Sequence, residues 1–283
     1  MIKTVGIVGG GTMGMGIAQT LAQKGLPITV CDLNLNTLQE NLDRTSKNLE
    51  KLVTRQKMTS EQAKGTIDLI SLTTSVNAIA NNDLVIEAIF ENISLKKELF
   101  AKLDKLCPLN TILATNTSVL SPTEIASATK RTDKIIGMHW FNPAPIMKLI
   151  EVTAGIETSE ETIISVIDFS RTIGKTPVRV NEAPGGIVSR ILRAMLNSAV
   201  DILAEGTASA EDIDTAMKLG ANFPMGPLEL IDLIGVDIHT INSDNITREL
   251  GDPRYRPNAI LRKMTRGGHL GRKVGKGFYT YPK

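Results

Sequence analysis

The sequence is poor in the residues that most often announce a function. It has two cysteines, Cys31 and Cys107, far apart and in no metal-like spacing. They make neither a disulfide framework nor a zinc site by themselves, and they suit a reducing compartment. Histidine is scarce too, with His139, His239 and His269 the three in the chain. No run of about 18 apolar residues is present, so no transmembrane helix is expected. A charged segment followed by a long apolar run and a cleavage site does not precede the first strand-like stretch, so the expected location is the cytoplasm. An excess of either charge is also missing. Lys+Arg total 32 against Asp+Glu 30, a formal net charge of +2. Neither nucleic acid nor membrane is therefore an expected partner, and any anion site must be local. There is no fixed-period repeat and no low-complexity segment.

What is there is a globular composition, 42% hydrophobic and 22% charged over 283 residues, enough for two domains. The first part alternates strand-like and helix-like runs. "TVGIVG", "PITVCD", "DLVIEAI", "TILATN", "KIIGMHW", "KLIEVT" and "TPVRVN" read as strands. Between them, Leu38, Leu42, Thr45, Leu49 and Leu52 recur at helical spacing. "TSEQAKGTIDLI" reads as a further helical segment with Ser60 as its N-cap. The alternation predicts an α/β domain with a mostly parallel sheet covered on both faces. After "NEAPGG" the strand signals stop, and "IVSRILRAMLNSAVDILAEG", "SAEDIDTAMKLG" and "GPLELIDLIGVDIHTINSDNITREL" are helical in period. The boundary is placed near residue 183, with 1–183 as the sheet domain and 184–283 as an all-helical domain.

The glycines supply the first chemistry. "VGIVGGGTMGMGIA" carries Gly9, Gly11 and Gly14 in a G-x-G-x-x-G array between a strand and a helix. Gly9 permits a tight turn, Gly11 lets a pyrophosphate approach the backbone, and Gly14 lets helix and strand pack closely. The phosphates would sit on the helix N-terminus. Gly9, Gly11, Thr12, Met13 and Gly14 are therefore candidate cofactor residues. Asp32 ends the second strand, where a carboxylate takes ribose hydroxyls and repels a 2′-phosphate. The pattern predicts a Rossmann-type domain that prefers NAD(H) to NADP(H).

A nucleotide site does not name a reaction. His139, in "GMHWFNPAP", falls at the end of a predicted parallel strand, the ligand end of such sheets. Glu151 lies twelve residues on, in the following strand. A carboxylate there would fix the tautomer of the imidazole and raise its basicity. The residues alone leave a second reading open, a half-exposed Glu151 paired with Lys148. Ser118, in "ATNTSVL", is placed either to donate to a substrate carbonyl or to cap a turn.

"GIVGGGTMGMGIAQTLAQKG", "DLVIEAIFENISLKKELF", "TILATNTSVLSPTEIA", "IIGMHWFNPAPIMKLIEV" and "LGRKVGKGFYTY" together resemble the L-3-hydroxyacyl-CoA dehydrogenases, in order and over nearly the whole chain. Within that family the sequence is similar to the short bacterial 3-hydroxybutyryl-CoA dehydrogenases. The resemblance implies NAD as cofactor, an acyl-CoA thioester as substrate, and a homodimer paired through the helical domain. It implies His139 and Glu151 as an acid/base pair acting on a 3-hydroxyl, with no metal. Ser118 matches a serine that contacts substrate and nicotinamide. Glu91, Lys96, Asn116, Asn142 and Lys273 match positions lining the NAD site. Asn48, Lys51 and Arg55 match the CoA contacts, and Lys47, Lys51 and Arg55 share one face of the long helix.

The sequence departs from the family's P-G-F-x-x-N-R. It reads "PGGIVSR", with Gly186 for an aromatic and Ser189 where an asparagine helps hold substrate. Phe223 stands where a histidine is common. Ser189, being shorter, is expected to act through water. Two other readings stay open: a related 3-hydroxyacid dehydrogenase acting on a free acid, and an NADH- or acyl-CoA-binding protein of weak turnover.

Overall fold

The computed structural model describes residues 2–282, and the chain divides into two compact units between Ala183 and Pro184. In the first unit, β1 (Val5–Val8), α1 (Thr12–Ala22), β2 (Ile28–Cys31), α2 (Leu35–Thr54), α3 (Ser60–Asp68) and β3 (Ile70–Thr73) follow in order. Then come β4 (Leu84–Glu87), α4 (Ile93–Leu106), β5 (Ile112–Thr115), α5 (Pro122–Ala126), β6 (Ile135–Trp140), β7 (Leu149–Ala154), α6 (Glu160–Thr172) and β8 (Thr176–Asn181).

The eight strands form one sheet in the order β3-β2-β1-β4-β5-β6-β7-β8. The first six strands run parallel, β7 is antiparallel to β6, and β8 is parallel to β7. This is the mostly parallel sheet that the alternation of strands and helices predicts. Strands β1, β4 and β5 are short apolar runs buried on both faces, as helix-covered parallel sheets require. One face packs Ile7, Ile86 and Ala114 against Ile17 and Leu21 of α1; the other packs Val8, Val85 and Leu113 against Phe100 and Leu103 of α4. The strand order reverses at β1, between β2 and β4, so the crevice of the sheet opens beyond the C-terminal ends of β1 and β4.

Two local readings are corrected. The N-cap of α3 is Thr59, not Ser60: its hydroxyl accepts from Gln62 N, and Gln62 Oε1 accepts from Thr59 N in return. The end of the same segment is a strand, because Ile70–Thr73 pairs in register with β2 and so satisfies its backbone.

The second unit is helical: α7 (Val188–Ala204), α8 (Ala210–Gly220), α9 (Pro227–Ile234), α10 (Val236–Leu250) and α11 (Ala259–Arg266). "GPLELIDLIGVDIHTINSDNITREL" is two helices rather than one, broken at Gly235, whose φ of 105° no helix tolerates. Leu196, Val200, Ile213, Leu228, Ile231, Val236 and Leu261 form its core. Asp232, 1% exposed, accepts from Phe278 N, Tyr279 N and the Tyr281 hydroxyl, each at 3.0 Å. That carboxylate ties the last residues of the chain onto α9. Among the described residues no helix is long and apolar enough to cross a membrane.

Candidate active site

The glycine turn follows from steric limits that can be stated atom by atom. Gly9 has φ 102°, and a Cβ there would stand 2.5 Å from the Ala88 carbonyl oxygen. A Cβ on Gly14 would lie 1.7 Å from the Gly9 oxygen, so α1 packs on β1 only with glycine. Around Gly11 there is open space within 4 Å. Gly11 is also the N-cap of α1 and offers no side-chain acceptor, and no acidic residue occupies the first turn. The backbone N–H groups at Thr12 and Met13 thus open a helix with no anion of its own, beside a glycine with room for a ligand. The turn fits a dinucleotide pyrophosphate.

Asp32 extends past β2. Its Oδ2 accepts from Gly10 N at 2.7 Å and its Oδ1 from Leu33 N at 2.6 Å. Gly10 was not singled out by sequence, nor was Asn41. A Cβ on Gly10 would meet Leu38 Cδ2 at 2.0 Å, and Asn41 Nδ2 donates to the Gly10 carbonyl at 2.9 Å. The middle glycine of the triplet was the available signal. Replacing Gly14 by alanine is expected to destabilise the first unit by about 3 kcal/mol, since neither helix nor turn can yield cheaply. Gly11→Ala is expected to fold normally. Thermal unfolding of the two variants side by side checks this contrast.

His139 and Glu151 face each other across β6 and β7 as Cα partners in the antiparallel register. Directly opposed residues share a face of the sheet. The imidazole Nδ1 lies 3.0 Å from Glu151 Oε2. The Glu151 side chain is 2% exposed and that of His139 12%. A carboxylate at Nδ1 takes the Nδ1–H, which leaves Nε2 as the basic nitrogen. The Phe141 ring packs on the imidazole with centroids 4.3 Å apart. The pairing with Lys148 left open by the sequence is not the one formed.

Asn116 holds the backbone beside His139: its Oδ1 accepts from Trp140 N at 2.8 Å. Glu91 and Lys96 join a buried network under the same sheet edge. Lys96 Nζ, 1% exposed, lies 2.6 Å from Glu87 Oε1 and 3.3 Å from Glu91 Oε2. Glu87, fully buried, also accepts from Ile89 N at 2.7 Å and from Thr115 Oγ1 at 2.6 Å. Glu91 Oε1 accepts from the Thr117 hydroxyl at 2.5 Å and from Ser118 N at 3.1 Å. Lys96 and Glu91 therefore brace the loops that carry Ser118. Glu87 was missed by sequence, although an acid closing the apolar run "DLVIE" was a signal.

Lys175 was missed as well. Its ammonium donates to the carbonyls of Ala144 at 2.5 Å and Met147 at 2.7 Å, and it lies 5.3 Å from the Trp140 ring centroid. Burial, and then the charge of Lys24, push its pKa down. It pins the loop that follows His139. Burial likewise pushes the thiols of Cys31 and Cys107 up, with Asp32 adding to the effect at Cys31.

A cavity of about 350 Å³ opens between α1, α2 and this loop. It brings together Gly11, Thr12, Asn48 and Asn142, with Asn41 and Arg44 beside them. Lys47 and Lys51 are exposed on α2, and Arg55 is its C-cap, also exposed. In the second unit, Ser189 sits in the first turn of α7, half-buried. Gly186, where the family resemblance implies an aromatic, has φ 51°, which favours glycine. Lys273 Nζ binds both carboxylate oxygens of Asp237, at 2.7 and 2.6 Å.

A dinucleotide turn at the reversal of strand order, with a carboxylate-held imidazole on the same edge of the sheet, defines a nicotinamide-dependent dehydrogenase. Residues 4–183 match the 3-hydroxyacyl-CoA dehydrogenase NAD binding domain, and residues 185–281 match the C-terminal domain of the same family. A 3-hydroxybutyryl-CoA dehydrogenase of Clostridioides difficile is 48% identical over 98% of this chain and 99% of its own. A probable 3-hydroxybutyryl-CoA dehydrogenase of Bacillus subtilis (strain 168) is 45% identical over 99% and 98%. The crystal structure of (S)-3-hydroxybutyryl-CoA dehydrogenase PaaH1 from Ralstonia eutropha superposes with a TM-score of 0.95 at 42% identity, covering 100% of both chains. The chain belongs to the 3-hydroxyacyl-CoA dehydrogenase family.

Proposed function

We propose that the protein interconverts (S)-3-hydroxybutyryl-CoA and acetoacetyl-CoA with NAD(H). The observation that carries this reading is the 3.0 Å contact between His139 Nδ1 and Glu151 Oε2 on the sheet edge that also bears the glycine turn. In oxidation, Nε2 of His139 takes the proton of the 3-hydroxyl, and Glu151 stabilises the imidazolium. In reduction the same nitrogen returns it. NAD(H), held at the glycine turn, would supply the hydride acceptor or donor for C3. Ser118 donates to the substrate oxygen, and Ser189 contributes through water where a longer side chain would reach directly.

Gly9, Gly11, Thr12, Met13 and Gly14 would hold the pyrophosphate and Asp32 the ribose. Asn116, Asn142 and Lys273 would line the remainder, with Lys96 and Glu91 as positioning residues. Asn48, Lys51 and Arg55 are assigned to the phosphates of coenzyme A, whose charge their helix face complements. Exposed Ile191, Leu219, Leu233, Ile238 and Ile241 support pairing of the second unit with its twin in a homodimer. Two buried, unpaired thiols suit the reducing cytoplasm.

The deciding assay follows NADH oxidation with acetoacetyl-CoA, with NADPH and with free acetoacetate in parallel. Turnover with free acetoacetate equal to that with the thioester would sink the CoA reading. Asp32→Ala is expected to narrow the preference for NADH over NADPH by roughly five- to a thousandfold. That span corresponds to removing a repulsion of about 1–4 kcal/mol between unit charges. The kcat/KM ratio of the two cofactors measures it.

A further inference from the structure

Three successive peptides make the glycine turn, and each is anchored by a different group. The Val8–Gly9 peptide belongs to the sheet: Gly9 N donates to Cys31 O at 2.8 Å, and Val8 O accepts from Ala88 N at 2.7 Å. The Gly9–Gly10 peptide is held by its N–H, which donates to Asp32 Oδ2 at 2.7 Å. The Gly10–Gly11 peptide has one anchor among the described residues. That anchor is the amide of Asn41 on α2, whose Nδ2 donates to Gly10 O at 2.9 Å. Only the amino end of an asparagine amide can donate to a carbonyl, so the contact also fixes which way round the amide sits. Leu38 lies three residues before Asn41, on the same face of the helix. It is fully buried, and a Cβ on Gly10 would stand 2.0 Å from its Cδ2. The helix therefore touches Gly10 at two points, one apolar and one polar.

The polar contact decides where a donor points. The Gly10–Gly11 bond is trans. A trans peptide is planar, with its C=O and its N–H directed oppositely. With Gly10 O drawn toward α2, Gly11 N–H is aimed away from that helix. It has no acceptor among the described residues, and a Cβ on Gly11 would find open space within 4 Å. Glycine on both sides of this peptide removes the Cβ contacts that would otherwise restrict its plane. Turned over, the same peptide would present Gly10 O where Gly11 N–H now stands. An acceptor would replace a donor, and an anion there would be repelled. The helix itself gains nothing from residue 41 being asparagine, which is among the weaker helix formers.

We propose that Asn41 is a positioning residue for the dinucleotide: its amide holds the Gly10–Gly11 peptide so that Gly11 N–H donates to the pyrophosphate. The inference rests on the assignment of the glycine turn to the pyrophosphate made above. Asn41 acts through Gly11, far in the chain from the reacting pair His139 and Glu151. Its effect therefore falls on ligands that carry a pyrophosphate and spares those that do not.

The test compares ADP-ribose, which has the pyrophosphate, with adenosine, which lacks it. Each is titrated against the fluorescence of NADH bound to the full chain. Asn41→Ala is expected to weaken ADP-ribose roughly ten- to a hundredfold, the range for a lost hydrogen bond to a charged group, and adenosine by less than about twofold. KM for NADH in the reduction of acetoacetyl-CoA should rise by a similar factor, with kcat at saturating NADH unchanged. Asn41→Leu removes the donor but keeps the bulk, and it carries the same comparison if the alanine variant fails to fold. Asn41→Gln keeps an amide on a longer stem and is expected to recover part of the loss. ADP-ribose affinity unaltered in the alanine and leucine variants would overturn the inference. So would equal weakening of ADP-ribose and adenosine, the mark of a general disturbance where α2 meets the turn. Wild-type protein that binds ADP-ribose no more tightly than adenosine would reject the pyrophosphate assignment and the role of Asn41 with it. Selective loss of ADP-ribose in variants of a protein that reduces no thioester would keep the role of Asn41 and reject the proposed reaction.

Discussion

Replacing His139 with glutamine is expected to lower kcat for the NADH-dependent reduction of acetoacetyl-CoA by roughly 10²–10⁴-fold. The amide keeps the polarity of the site and fills part of the ring volume, but it cannot exchange a proton near neutral pH. Glu151, 2% exposed, would keep a neutral partner within reach, so the sheet should survive. NADH affinity, followed by the fluorescence of the bound dinucleotide, is expected to stay close to that of the wild type. The glycine turn that holds the pyrophosphate owes nothing to the imidazole. A loss of NADH binding equal to the loss of turnover would point to collapse of the edge instead of a missing base. Steady-state kinetics with circular dichroism on the same preparation separates the two.

The largest effect on stability is expected from Lys96→Met. The ammonium lies 2.6 Å from Glu87 in an environment where both side chains are essentially unexposed. Removing one member of a buried pair strands the other, at a cost of about 3–5 kcal/mol. For a unit of this size that lowers the midpoint by roughly 6–20 °C. Glu87 would retain only the Ile89 amide and the Thr115 hydroxyl. Combining Lys96→Met with Glu87→Gln is expected to recover part of the loss, because the stranded charge is then gone. A double variant no more stable than the single one would mean that shape, not charge, is what Lys96 supplies. Activity should fall with the single variant as well, since Glu91 loses its partner and with it the brace on Thr117 and Ser118.

Much of the fold was legible in the sequence, for reasons tied to period. Buried strands such as Val5–Val8 and Leu84–Glu87 are apolar runs too short for a helix, and the spacing of Leu38, Leu42, Thr45 and Leu49 matches the buried residues of α2. Period failed where pairing or a single dihedral decides. Ile70–Thr73 alternates weakly and follows a helix directly, and only its ladder with β2 makes it a strand. The stretch from Pro227 to Leu250 carries continuous helical periodicity, yet the positive φ of Gly235 cuts it in two. The reversed direction of β7 is likewise a matter of connection length, which no periodicity records.

The site was legible through motif and position. Gly9, Gly14 and Asp32 announce themselves by spacing after a strand. The partners that hold the site in place did not. Asn41, Glu87 and Lys175 act through contacts with residues 31, 9 and 31 positions away, respectively. Such distant partners are visible only when the chain is folded.

The facing of His139 and Glu151 across β6 and β7 has a consequence for how the acid/base pair can be moved or lost. Its spacing is indexed by a hydrogen-bond ladder rather than by loop conformation. Lengthening the connection at 141–148 leaves that index untouched. Inserting one residue inside β6 ahead of Met138 turns the imidazole to the opposite side of the sheet and drags Met138 and Trp140 out of the core. The dyad therefore transfers between scaffolds only as a block, strands 135–154 with their pairing intact, and drift in the loop beyond Phe141 leaves the facing of the two residues unchanged.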